Sequence, residues 1–162
     1  MKCPTAVYPG SFDPPTNGHV DIVYRATQLF PKVIVAVTNN SVKDTAFSLN
    51  ERIKMLKDAT RGLQKVEVVS FEGLLVNYLK KRKASVIIRG LRAISDFEYE
   101  FQMALMNRKL DANIETVFLM PDEANTYLSS SLVKEVARLG GSVKGFVPIF
   151  VEKNLKKINS NR

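Results

Sequence analysis

Five short apolar runs, each followed by a helix-length amphipathic stretch, constrain this chain more than any other feature. The runs are 5–8, 33–38, 66–70, 85–88 and 116–120. Rich in Val and Ile and apolar almost throughout, they suit strands covered on both faces, as in a parallel sheet. Helical periodicity fills the intervals at about 18–30, 49–60, 74–83, 96–110 and 130–139, with a last helix near 151–158. Ser48 and Glu51 stand at capping-box spacing, Ser95-Asp96 precedes another periodic run, and Gly140-Gly141 marks a stop. Strands alternating with crossover helices predict an α/β fold, a doubly wound five-stranded parallel sheet with helices on both faces. In such a sheet ligands bind beyond the carboxyl ends of the strands, where the winding reverses. Function is therefore sought in the residues that follow strands.

Composition narrows the setting. The 162 residues, 45% hydrophobic and 25% charged, have the length and balance of one soluble domain over 1–162. The apolar run 33–37 falls far short of the roughly 20 residues that span a bilayer, and residues 1–10 contain no apolar signal core. A cytoplasmic protein without a membrane partner is expected. Cys3 is the only cysteine, so no internal disulfide forms and a Cys-rich zinc site is excluded. The net charge of +8 divides as +4 in residues 1–81 and +4 in 82–162. Lys80-Lys81-Arg82-Lys83 and the end from Lys153 to Arg162 are the basic clusters, and solvated helix ends account for both. Charge spread this evenly, with no basic motif studded with aromatics, argues against a nucleic-acid partner.

Three strand ends carry residues suited to anions. After the first run, Pro9-Gly10-Ser11-Phe12-Asp13 makes a turn and Thr16-Asn17-Gly18-His19 opens a helix. Two readings of His19, the lone histidine, stand side by side: a donor to phosphate at a helix N-terminus, and a histidine that caps its own helix. After the fourth run, Arg89-Gly90-Leu91-Arg92 sets two guanidinium groups around a glycine, a phosphate clamp or else ion pairs with Asp96, Glu98 or Glu100. Following the fifth, Ser129-Ser130-Ser131 opens a helix where one serine suffices as the cap, so a second phosphate cradle is the favoured reading. Lys43 lies in the polar loop after the second run, where a solvated lysine is the ordinary expectation. No nucleophile, base and orienter come together, because Ser11 has no activating partner beyond His19. Such a site works by holding phosphates in line and stabilising charge.

The segment YPGSFDPPTNGH resembles the first signature of the nucleotidylyltransferases, and Ser129-Ser130-Ser131-Leu132-Val133-Lys134-Glu135 their late serine-rich one. IIRGLRAISDFEYEFQMALMNRKL (87–110), ETVFLMP and SSSLVKEVARLGG are more specifically similar to the bacterial pantetheine-phosphate adenylyltransferases. The resemblance covers about residues 5–150. It implies a Rossmann-like fold and adenylyl transfer from ATP to 4'-phosphopantetheine, giving dephospho-coenzyme A and pyrophosphate by direct in-line attack, with Mg²⁺ as cofactor and no covalent enzyme intermediate. It further implies a homohexamer and feedback by coenzyme A. In the residues of this sequence, it makes His19 the stabiliser of the transition state and an ATP contact. Ser11 and Phe12 stand where both substrates meet, and Lys43, Leu75 and Arg89 hold the phosphopantetheine. Gly90, Leu91, Arg92, Glu100, Asn125, Thr126, Tyr127, Leu128, Ser129, Ser130 and Ser131 match ATP-binding positions. No protein ligand for the metal is implied. Two positions depart from the family pattern: Ser11 stands where Thr is common and keeps the hydroxyl, and Asn125 stands where an aromatic residue often stacks. Nucleotidylyltransferases with other acceptors, such as nicotinate mononucleotide or glycerol phosphate, share the first signature.

Overall fold

The computed structural model describes residues 4–39 and 45–160. Five strands alternate with helices along the chain: β1 (Thr5–Gly10), α1 (Asn17–Leu29), β2 (Lys32–Thr38), α2 (Leu49–Ala59), β3 (Val66–Phe71), α3 (Leu75–Arg82), β4 (Val86–Gly90), α4 (Ile94–Leu110), β5 (Glu115–Leu119), α5 (Ser130–Arg138) and α6 (Ile149–Ser160), with a 3₁₀ turn at Glu123–Asn125. The strands form one parallel sheet in the order β3-β2-β1-β4-β5. The chain winds outward from β1 to β3, then returns to place β4 on the other side of β1. The doubly wound sheet expected from the sequence is thus present, and its switch point lies between β1 and β4.

Alternation along the strands supplies both layers. Ala6 and Tyr8 of β1, with Val33, Val35 and Val37 of β2, face Ile22, Val23 and Ala26 of α1 and Leu56 of α2. The residues between them, Val7, Ile34 and Ala36, face Val76 and Leu79 of α3 on the opposite side. A second layer covers α2 from outside, where Met55 and Phe47 pack against Val133 and Ala137 of α5 and Val151 and Leu155 of α6. Each such side chain contributes about 1.5–3 kcal/mol by leaving water.

The caps agree in part with expectation. Ser48 and Glu51 form their reciprocal capping box at the start of α2. Helix α4 departs from it: it begins at Ile94, and Ala93 at its N-cap makes no side-chain cap bond, so Ser95-Asp96 is not its start signal. The packing of α4 on the sheet, the ordinary reading of its apolar sequence, is only partial: Phe97 meets the Phe118 ring of β5 at 6.4 Å and Asn107 is buried. Phe97, Tyr99, Phe101, Met103, Leu105, Met106 and Leu110 are all exposed, because apolar residues surround this helix and no single stripe can bury them.

Local features open the switch point. Pairing of β1 with β4 stops at Val7 with Ile87, although β1 continues to Gly10 and β4 to Gly90. Pro9 has no N–H to offer a neighbour. Into the gap comes Arg89, whose Nη1 donates to the Pro9 carbonyl at 3.1 Å. Just beyond, Phe12 takes a left-handed φ of 48° and folds its ring back under Gly10. A Cβ at Gly10 would meet the Phe12 ring at 2.9 Å, and that ring, 2% exposed, has nowhere to go. Gly10→Ala is expected to lower unfolding free energy by about 1–3 kcal/mol through this overpacking. Denaturant titration checks it, and an unchanged midpoint would mean the ring is free to move.

Candidate active site

The signature turn after β1 is tied down by a carboxylate and a guanidinium. Asp13, 4% exposed, accepts the Ala46 and Phe47 N–H groups at 2.9 Å each and pairs with Lys134 Nζ of α5 at 2.8 Å. Arg52 of α2, 3% exposed, donates to three backbone carbonyls: Ser11 at 2.7 Å, Thr38 at 3.1 Å and Phe47 at 3.2 Å. Together they fix the tips of β1 and β2 against α2 and α5. Neither residue was singled out from the sequence. A signal was available for Arg52, which shares the buried face of α2 with Met55 and Leu56 at helical spacing, where a charge needs a reason.

The capping reading of His19 is what the structure shows, and it leaves the other ring nitrogen free. Its Nδ1 accepts the Thr16 N–H at 3.0 Å, while its own N–H donates to Thr16 Oγ1 at 3.3 Å, a capping box with imidazole in the usual place of a carboxylate. A backbone N–H can only donate, so Nδ1 must be the bare nitrogen and the proton sits on Nε2. Burial, and after it the positive charges of Arg92 and Arg89, push the imidazole pKa down to about 4. The neutral ring thus presents one N–H donor toward the space in front of the helix. Other amides of this first turn are largely taken, with Asn17 N–H donating to the Phe146 carbonyl at 2.9 Å. What α1 offers the cavity is therefore a side-chain donor more than an open helix terminus.

Both arginines of the RGLR segment are engaged. Arg89 pairs with Glu100 through Nε at 2.6 Å and Nη2 at 2.5 Å, and Arg92 pairs with Asp96 while donating to the Leu128 carbonyl at 2.9 Å. The ion-pair reading is right for the geometry, and it leaves each guanidinium two of its five N–H groups. At α5 the serines divide: Ser129 Oγ caps the helix by accepting Leu132 N–H at 3.0 Å, Ser130 Oγ donates to the Pro14 carbonyl at 2.7 Å, and Ser131 forms no side-chain bond among the described residues. The Ser130 and Ser131 amides, at the open end of α5, also have no partner among the described residues.

These groups surround two adjoining cavities. The more polar one, of about 330 Å³, is walled by Tyr8, Ser11, Phe12, His19, Arg89, Gly90, Arg92, Asp96, Glu100 and Ser129–Ser131. A larger and more apolar one, of about 460 Å³, is lined by Thr38, Phe71, Leu75, Tyr99, Met103 and Asn107. Pro9, Gly10, Ser11, Arg89 and Glu100 line both. Phe12 contributes only backbone to that meeting place, since its ring is buried edge-on to His19 at 5.1 Å. Leu91 donates its N–H to Leu119 behind the wall. Of 125–128, the structure brings only the Leu128 carbonyl to the arginines. Asn125 packs beside Gly18, Thr126 bonds the Glu123 carbonyl, and Tyr127 turns its ring onto Phe146 at 6.0 Å. Lys43 lies outside the described residues.

Comparison with known proteins decides what such a site belongs to. The cytidylyltransferase-like family model matches residues 7–136. A phosphopantetheine adenylyltransferase of Caldanaerobacter subterraneus subsp. tengcongensis is 57% identical over 150 residues, covering 93% of this chain and 94% of that protein. This chain belongs to the phosphopantetheine adenylyltransferase family. The phosphopantetheine adenylyltransferase of Desulfosudis oleivorans, 53% identical over 152 residues, covers 94% of this chain and 90% of its own length. A crystal structure described as a nicotinate-nucleotide adenylyltransferase from Vibrio parahaemolyticus superposes with a TM-score of 0.69 at 15% identity, over 97% of this chain and 91% of that one. That likeness shows the shared Rossmann-like fold. Membership makes the chain a nucleotidyltransferase.

Because the folded pKa of His19 lies below the usual 6.5, its contribution to stability is fully present above about pH 6.5 and is lost as pH falls through about 4. As the lone histidine, it gives one unambiguous imidazole resonance. NMR titration should show a neutral Nε2–H tautomer unchanged from pH 8 to 5.5, whereas protonation near 6.5 would contradict the buried, capped ring.

Proposed function

We propose that this chain transfers the adenylyl group of ATP to 4'-phosphopantetheine, giving dephospho-coenzyme A and pyrophosphate. The observation that carries the reading is the junction of the two cavities at Ser11, Arg89 and Glu100, donor-rich on one side and larger and more apolar on the other. The nucleotide fits the polar cavity, its phosphates toward His19 Nε2–H, the spare N–H groups of Arg92, and the unpaired amides of Ser130 and Ser131. The pantetheine arm fits the larger cavity beside Leu75, Tyr99 and Met103, with its phosphate beneath Arg89 and in reach of the Ser11 hydroxyl. The names of the relatives, which cover most of this chain, support the same substrates.

In this reading a phosphate oxygen of the acceptor attacks the α-phosphorus in line. A P–O bond forms, the bond from the α-phosphorus to the bridging oxygen breaks, and pyrophosphate leaves with that electron pair. The acceptor brings its own nucleophile, so no covalent enzyme intermediate is required. His19 supplies a preset donor to oxygens on which negative charge accumulates, and a neutral imidazole does so without having to be protonated first. The nearby carboxylates Asp13, Asp96 and Glu100 are paired with Lys134, Arg92 and Arg89, so Mg²⁺ would come bound to the nucleotide without a protein carboxylate and would supply charge neutralisation there. Coenzyme A, which shares the pantetheine arm, competes for the larger cavity as a feedback inhibitor.

The exposed apolar residues of α4 support assembly into a homohexamer, since a monomer leaves them in water. Tyr99, Met103 and Asn107 of the same helix wall the acceptor cavity, so assembly also steadies the pocket.

A pyrophosphate-release assay with ATP and each candidate acceptor tests the reaction. Phosphopantetheine should be adenylated and nicotinate mononucleotide ignored, and the reverse would overturn the choice of acceptor. His19→Ala should fold, bind ATP nearly as well and lose about 10² or more in turnover. Wild-type turnover in that variant would leave His19 with its capping role alone. Sedimentation should give a particle several times the 18.2 kDa chain, and Phe101→Asp should shift it to smaller species. A wild-type monomer would remove the proposed interface.

A further inference from the structure

Tyr8 belongs to the site by position and has no role in the reaction as derived above. On β1 it is 5% exposed, its ring edge-on to Phe12 at 5.3 Å and tilted toward His19 at 6.5 Å. Packing explains the ring, which sits in the layer with Ile22 and Val35. It does not explain the hydroxyl. Phenylalanine would pack as well, and a buried hydroxyl normally finds a partner. None of the described residues hydrogen-bonds the Tyr8 oxygen. Yet every fully sealed side-chain polar atom among them does have a partner. The Tyr8 oxygen is therefore in touch with open space, and that space is the site: Tyr8 lines the polar cavity and a smaller one of about 60 Å³ beneath it, between Thr16, Gly90 and Leu128. Its place is fixed, 3.7 Å from where a Cβ on Gly90 would stand. Here is an unpartnered polar group, more than nine-tenths buried, aimed into a binding cavity.

We propose that the Tyr8 hydroxyl is a substrate contact that donates a hydrogen bond to a phosphate oxygen of the nucleotide held in the polar cavity. The proposal rests on the nucleotide reading above and adds a residue to it. Phosphate is the favoured group because the two carboxylates on the wall, Asp96 and Glu100, are paired with Arg92 and Arg89, and the groups left to meet a ligand, His19 Nε2–H, the spare N–H groups of both arginines and the Ser130 and Ser131 amides, are all donors. One acceptor-rich anion satisfies them together with a phenol. Burial raises the phenol's pKa above its ordinary value of 10, so it remains a donor at any pH where the enzyme is folded. The contact forms only with ligand bound, and the free protein loses nothing when the hydroxyl is absent.

Tyr8→Phe isolates that oxygen, because the ring and its contacts remain. Three measurements on the intact chain decide the matter: melting temperature without ligand, calorimetric affinity for ATP with Mg²⁺ and for adenosine, and the steady-state KM of each substrate. The variant should melt at the wild-type temperature or slightly above, bind ATP about tenfold more weakly, and bind adenosine as well as wild type does. The KM for phosphopantetheine should stay within twofold. ATP affinity within twofold of wild type overturns the proposal. So does a melting temperature lower by several degrees, since the hydroxyl would then serve the fold. An equal loss for adenosine overturns the phosphate assignment. Failure of the wild-type chain to adenylate phosphopantetheine would refute the acceptor and leave the ATP comparison intact, while a wild-type chain that binds no ATP refutes both.

Discussion

The site depends on a buried guanidinium that binds backbone where no strand can. Arg52 reaches the carbonyls of Ser11, Thr38 and Phe47, at and just past the carboxyl ends of β1 and β2. Leaving such a group unpaired costs about 1–3 kcal/mol. Asp13 does the complementary work on the amides of Ala46 and Phe47 and joins α5 through Lys134. One cation and one anion thus lock the carboxyl ends of β1 and β2 to the helices that carry the serines. The geometry of these loops is set by charges bound to backbone, and Arg52 also lines the larger cavity.

Economy of a similar kind marks His19. Its structural bond and its chemical use are two ends of one ring. The Thr16 amide occupies Nδ1, and in doing so leaves the proton on Nε2, facing the cavity. Burial and two nearby arginines keep the ring uncharged. A residue chosen solely to cap α1 could have been Glu, as Glu51 is in α2, but a carboxylate there would repel phosphate. The capping box leaves Nε2–H open to the cavity, which is why the two sequence readings of this residue do not exclude each other.

Much of this was legible in the chain. Apolar runs in which both alternating sets are hydrophobic, such as Val33 to Val37, identify a parallel sheet because helices cover both faces. The site residues that follow β1, β4 and β5 were legible for a related reason: a switch point exposes strand ends. What the sequence hid is pairing. Nothing in RGLR tells whether Arg89 meets Glu100 or Asp96, since that depends on where α4 sets its first turns. Arg52 looked like any polar position of an amphipathic helix until its three carbonyls were seen. The fate of α4 was hidden too, because an apolar helix reads the same whether its residues face a sheet or lie in the open. Tyr8 passed as a core aromatic because periodicity describes the ring and is silent about the oxygen at its tip.

The central claim is that donors from the tips of β1, β4 and α5 converge on one nucleotide polyphosphate beside an acceptor pocket. A crystal structure with ATP and phosphopantetheine tests this most directly. The account predicts the α-phosphate within hydrogen-bonding reach of His19 Nε2, the outer phosphates at the Ser130 and Ser131 amides, and the acceptor phosphate between Arg89 and Ser11. A nucleotide seated elsewhere, for instance in the groove of about 460 Å³ between Lys57, Tyr78 and Arg82 on the β3 side, would contradict it.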